Sequence, residues 1–448
     1  MANKIVRKTL IVLYLVTATS VNAMDLFTQE EIGAFHRAAG AGVIESVKVA
    51  LDDGMLPDSR NSEGATALMA ASVTGHLSMM QFLLSVGANV NARDINGQTP
   101  IFYAAAMEQI ESIELLIESG AELDERSKNS ETVLIGAAEQ GHRETLSLLL
   151  HNGADIEARN ASGSSALGIA SWHGDLDIID ILLANGADPN QTDQLGITPL
   201  MAASQGQNTA AAELLLDLGV LVNAKNARGG TALGFSSWQG DALTMRALLS
   251  RGADPNLAAF DGFTPLMAAA ARGHVLSMRI LLDHKANPLM TTNDGFNALM
   301  VASQEGRLRS ARLLIDLGVS PDHLGERGVS ALILAAPTGN ITLVNLLIQG
   351  GADVNASILF GKSEDIGTTA LLLAARDGSA DIVRALLAAG ADPGRGTLSG
   401  DTPIKVASEN FHTDVVGILR TLRKRDPVFP VGRGSSLMNR LPTVTKSG

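Results

Sequence analysis

Two tryptophans are the residues whose type and spacing best suggest chemistry, and the chemistry is that of contact. Trp172 and Trp238 lie 66 residues apart inside near-copies of one segment, GSSALGIASWHGD at 163–175 and GGTALGFSSWQGD at 229–241. Each is followed by a polar side chain, His173 or Gln239. Around them, at one recurring position, stand the apolar residues Ile197, Phe263, Phe296 and Val329. Aromatic residues make up only 3% of the chain, so collecting them here is informative. Large rings on an exposed groove are the usual anchors of a protein partner. These eight residues form the candidate partner-binding set. The competing reading, that each tryptophan packs into its own helix turn and fills a gap, stays open at this point.

Other chemistry is missing from the pattern. The chain has no HExxH, no GxSxG and no phosphate-cradling glycine loop. It has no cysteine, which removes disulfides, thiolate metal sites and thiol-linked lipids. Of nine histidines, His76, His142, His274 and His412 recur at one register position, and His151 and His284 end helical stretches. That is the pattern of structural histidines. The acids recur likewise, as solvated edges and turn residues. No catalytic residue, metal ligand or cofactor is expected, and the chain does not read as an enzyme.

The elements that must position the tryptophans follow from a period of 33. A glycine or serine opens a repeat at Gly64, Gly97, Ser130, Gly163, Gly196, Gly229, Gly262, Gly295 and Gly328, then at Gly367 and Gly400. Numbered from Gly64 these are repeats one to eleven, and the register extends one repeat upstream, giving twelve. A period of this size marks a stacked solenoid. Within each repeat, Thr precedes an Ala-rich run and Pro often follows it, the N-cap and first turn of a helix. A second amphipathic stretch carries an apolar pair, such as Leu83–Leu84, Leu149–Leu150 and Leu248–Leu249. A segment such as Asp94-Ile95-Asn96-Gly97 then makes a turn with positive φ at glycine.

Thr-Pro-Leu, Ala-Ala, Gly-His, Leu-Leu and Gly-Ala-Asp, repeated in this order over about residues 31–420, resemble the ankyrin repeat family. The resemblance implies an all-α ankyrin-repeat solenoid of about 12 helix-turn-helix units joined by β-hairpin fingers. It implies a concave groove lined by finger tips and first helices, and a protein partner. One departure is systematic. The family's histidine after Thr-Pro-Leu is replaced by Met69, Met201, Met267 and Met300, by Gly168 and Gly234, or by Ile135, Ile333 and Leu372. Only His36 keeps it. That histidine ties adjacent units by hydrogen bonds, so joints relying more on apolar packing are expected here.

The expected organisation is a signal peptide at 1–23, an N-terminal capping unit at 31–63 and repeats over 64–355. A finger insertion follows at 356–366 (ASILFGKSEDI), then C-terminal repeats with a cap at 367–425 and a disordered basic tail at 426–448. The signal reading rests on Lys4, Arg7 and Lys8, an apolar centre from Leu10 to Val16 and the small-residue site Val21-Asn22-Ala23. No other segment is apolar for the ~20 residues a membrane span needs.

The whole chain carries −13, of which residues 1–23 contribute +3 and those from Arg420 onward +6, leaving −22 on residues 24–419. A body so acidic repels nucleic acid and favours a basic partner. The function expected is that of a monomeric, exported protein-interaction scaffold in the periplasm, or one secreted further. The alternative is a secreted effector acting on a host protein.

Overall fold

Each repeat becomes two short helices because its caps are local. In the computed structural model, which describes residues 27–423, the first helix of repeat one runs Ala67–Thr74 and the second Leu77–Ser85. Thr66 stands in extended backbone before the first helix, and its Oγ1 accepts a hydrogen bond from Met69 N at 3.4 Å. The same cap recurs at Thr132, Ser165, Thr198, Thr231 and Thr264, and such a cap contributes ~1 kcal/mol. Pro199 and Pro265 open their helices, where no intrahelical acceptor waits for an N–H. Twelve helix pairs lie among the described residues, from Gln29–Gly40 with Ile44–Asp52 to Pro403–Glu409 with Thr413–Arg423. The fold is the all-α repeat solenoid expected. The signal peptide expected at 1–23 and the tail expected at 426–448 lie outside the described residues.

The chain divides into two compact bodies, one ending at Thr292 and the other beginning at Asn293. In the first, the first helices of the N-terminal repeat and repeats one to seven pack one on the next, and the second helices form a parallel layer. The leucine pair shows why the layer holds. Leu83, Leu149, Leu182, Leu215, Leu248 and Leu281 are fully buried. Their successors sit about 100° further round the helix, at the layer's edge. The second body stacks repeats eight to eleven in the same way. At its end Leu419 is buried and Arg420 exposed, the polar outer face that a terminal repeat needs.

Two expectations are corrected. The fingers are tight turns, not β-hairpins: among the described residues there are only two isolated bridges, Leu324–Ser330 and Ser357–Thr369. In the turn 94–98, Asp94 Oδ1 accepts from Asn96 N at 2.8 Å and Gln98 N at 2.7 Å, and Gly97 closes the turn at φ 78°. The side chain takes the bonds that a strand partner would, so pairing does not extend. Successive fingers are instead tied tip to tip. Ile95 N donates to Glu63 O at 3.0 Å, Lys128 N to Asn96 O at 2.7 Å and Ala161 N to Asn129 O at 2.9 Å.

The joints are also more polar than the missing histidines implied. Asn91, Asn190 and Asn223 each accept from a backbone N–H of the next repeat, at 2.9 Å from Glu122, 3.0 Å from Leu221 and 2.9 Å from Asp254. Arg60, Arg93, Arg126 and Arg159, at steps of 33, each donate to the backbone carbonyl 33 residues further on. Loop N–H and C=O groups at a joint need partners whatever the core holds, and these side chains supply them. His142 and His412 do the same, bonding Ala105 O and Arg376 O at 2.9 Å. His36 is buried and bonds Ser59 O at 2.8 Å, and burial lowers its pKa.

The insertion is a held loop. The finger ladder enters it at Leu359 N, which donates to Arg327 O at 2.8 Å, and leaves it through Ile366 O, which accepts from Leu398 N at 2.9 Å. Arg327 also pairs with Asp365 at 3.2 Å. The extra residues bulge outward without breaking the ladder, and Phe360 is exposed on them.

Candidate functional site

Repeats four and six place their bulk differently from the others. At the third position of the first helix, most repeats carry a large apolar residue that is buried: Met69, Ile135, Met201, Met267, Met300 and Ile333. Repeats four and six carry Gly168 and Gly234, followed by Ile169 and Phe235 where repeats five and seven have Ala202 and Ala268. One residue further along a helix is a rotation of ~100°. The bulk has moved from the core to the face beside the finger tips, and Ile169 and Phe235 are half-buried there. Trp172 and Trp238 follow three residues later on the same face.

Two hollows result, both within the first body. One, of about 820 Å³, has Ile169 and Trp172 on one side, Phe235 on the other and Ala202 between, with His173 and Ile197 also lining it. The other, of about 400 Å³, is bounded by Phe235 and Trp238, with Gln239, Phe263 and Ala268 lining it. Phe235 and Gln205 belong to both. The rings are accessible: Trp172 is 50% exposed and Trp238 43%. Trp172 meets the edge of His173 at 5.0 Å between ring centres, and Arg272 lies over the Trp238 ring at 5.2 Å.

The support behind Trp172 is specific. Its carbonyl oxygen accepts from Asn208 Nδ2 at 2.6 Å. A Cβ at Gly206 would collide with that same oxygen, so repeat five needs glycine there. Gly168 and Gly234 are different. A Cβ at either would have as its nearest neighbour only the capping hydroxyl, Ser165 Oγ at 3.7 Å or Thr231 Oγ1 at 3.5 Å. Glycine inside a helix costs ~0.5–1 kcal/mol relative to alanine, and no packing here demands it. Gly168→Ala and Gly234→Ala should each therefore raise stability by roughly that amount, read as a shift of the denaturant midpoint; a lowered midpoint would mean the space is already used.

Six of the eight expected site residues thus line the two hollows. The other two, Phe296 and Val329, belong to the second body. Val329 is buried, 8% exposed, where its carbonyl accepts from Gly325 N at 2.9 Å and the Leu324–Ser330 bridge closes the finger around it. It offers no surface to a partner, which corrects that expectation. Phe296 is half-buried, its ring resting against the backbone at Gly325, where a Cβ would lie 2.8 Å from Cε1. Residues missed from the sequence are Gln205, Phe235 and Ile169. The signal available was the exchange of Met-Ala for Gly-Ile and Gly-Phe.

Charge is divided unevenly between the hollows. Glu131, Glu139 and Asp193 line the larger, with Arg228 at its exposed edge, whereas no charged residue lines the smaller. Partial burial, and then the nearby Glu139, push the pKa of Glu131 up. Asp193 Oδ1 is engaged in its own turn, accepting from Leu195 N and Ile197 N at 2.8 Å. Among the described residues no cluster of three His, Asp or Glu could hold a metal ion, and no helix is long and apolar enough to cross a membrane.

The family described as "Ankyrin repeats (3 copies)" matches this chain over residues 6–94, 91–160, 167–259, 240–324 and 332–427. No curated protein matches it.

Proposed function

From the premise that this chain belongs to the ankyrin repeat family, whose repeats are protein–protein interaction modules, we propose that it is an exported scaffold gripping a protein partner through the groove of repeats three to seven. The observation that carries this reading is the pair of half-exposed tryptophans, each beside a hollow opened by a glycine. Exposed aromatic rings set beside an unfilled hollow match the anchor-and-pocket arrangement of binding hot spots. With −22 on residues 24–419, the partner is basic, and association slows as salt rises.

Export rests on the pattern of residues 1–23. The mature protein should begin at Met24, which mass spectrometry of protein recovered from the periplasm checks; an intact Met1 on cytoplasmic protein would remove export from the proposal. The groove is tested separately. A photo-crosslinker at Gln205, on the groove, should capture protein that the same group at Leu243, on an exposed second-helix face, does not. Equal capture from both positions would count against the groove.

A further inference from the structure

The two hollows are copies of one site, displaced by 66 residues, whose chemistry has diverged. Gly168, Ile169, Trp172 and Ala202 in the first correspond to Gly234, Phe235, Trp238 and Ala268 in the second. The frame has been kept and the charges have not. Glu139 lines the first hollow where Gln205 lines the second, and Asp193 where Ala259 does. Glu131 of the first has Ile197 as its counterpart.

We propose that the hollows receive two different side chains of one extended segment of the partner: an arginine or lysine beside Trp172, and an aromatic or aliphatic side chain beside Trp238. This rests on the groove reading above and adds the chemistry of its occupant. Charge complementarity decides the assignment. Around the first hollow the carboxylates of Glu131, Glu139 and Asp193 face one guanidinium, Arg228, and the neighbouring imidazole of His173. A cation placed there gains the carboxylates and the exposed face of Trp172 together. It would also relieve the repulsion from Glu139, which adds to partial burial in holding Glu131 back from ionising. At the second hollow the cation place over the indole is already taken by Arg272. An incoming charge would be repelled there, and Phe235, Phe263, Leu257 and Pro265 offer apolar contact instead. Equivalent points two repeats apart are ~20 Å distant at 8–10 Å per helix layer. An extended chain rises ~3.3 Å per residue, so the two anchors are about six residues apart and point to the same side.

The test uses the whole protein and fluorescein-labelled decapeptides in which Arg and Phe are separated by five Ser or Thr residues, in both chain directions. Fluorescence anisotropy should show one direction of the Arg/Phe peptide binding at least ~10-fold tighter than its Gln/Phe and Phe/Phe counterparts. The double variant Glu131→Gln, Glu139→Gln should erase that preference while leaving the contribution of Phe unchanged. Gly234→Met, which fills only the second hollow, should erase the contribution of Phe and keep that of Arg. Equal binding of the Arg/Phe and Gln/Phe peptides, a preference that survives the double variant, or no peptide binding at all overturns the assignment. Trp172→Ala separates this failure from that of the groove itself. Peptides that need Trp172 yet ignore charge refute only the assignment; peptides indifferent to both, with no capture at Gln205, refute the groove.

Discussion

Leu215→Asp should unfold repeats five and six at a temperature where the rest of the protein is still native. Leu215 is fully buried in the second-helix layer of the first body, within Thr209–Asp217. A carboxylate there loses its water without gaining a partner, because the neighbours in that layer are Leu182 and Leu248. An uncompensated buried charge costs ~3–5 kcal/mol, and the lost leucine side chain adds a cavity term of ~2–5 kcal/mol. In a one-dimensional array that loss falls on one repeat and its two interfaces, because each repeat contacts only its neighbours. Deleting a whole repeat outside the groove, residues 97–129, should do less harm. It joins repeat one to repeat three in the native register, where Ser130 adopts the same left-handed conformation as Gly97, φ 58° against 78°. Circular dichroism melts of both variants decide this. If the deletion melts first and Leu215→Asp behaves like wild type, the layer assignment fails.

Removing a groove tryptophan should have the opposite signature, a large effect on binding and a small one on folding. Trp172→Ala and Trp238→Ala each take away a ring that is about half exposed, so little core area is lost. Anchors of this kind contribute ~2 kcal/mol or more to binding when truncated, which is about thirtyfold in affinity. The measurement is titration calorimetry with the protein captured through Gln205, beside a thermal melt of each variant. Binding that survives in a variant that melts early would return that tryptophan to a structural role.

How much was legible beforehand depends on the range of the interaction. The helix pairs, their caps and the turn glycines were readable in the sequence because each is set by residues within four positions of one another, and the period of 33 repeats that local instruction along the chain. Thr66 caps its own helix whatever surrounds it. The burial of the first leucine in each pair follows from the same periodicity. The equivalent placing of Trp172 and Trp238 was legible too, because duplicated segments expose what departs from the repeat.

Only the tertiary structure decided what those residues face. The ladder of Arg60, Arg93, Arg126 and Arg159 is visible as a recurring letter, yet its acceptors are main-chain carbonyls, which no side-chain pattern reports. Val329 and Phe263 occupy the same register position, and one is buried while the other lines a hollow. The hollows themselves arise from absent side chains. Gly168 and Gly234 read in sequence as departures from a motif; stacking against repeats five and seven, whose Ala202 and Ala268 leave the groove side low, turns those departures into space. Local capping is encoded within each repeat. A cavity is a property of several repeats at once, set by which atoms fail to meet after the helices have packed.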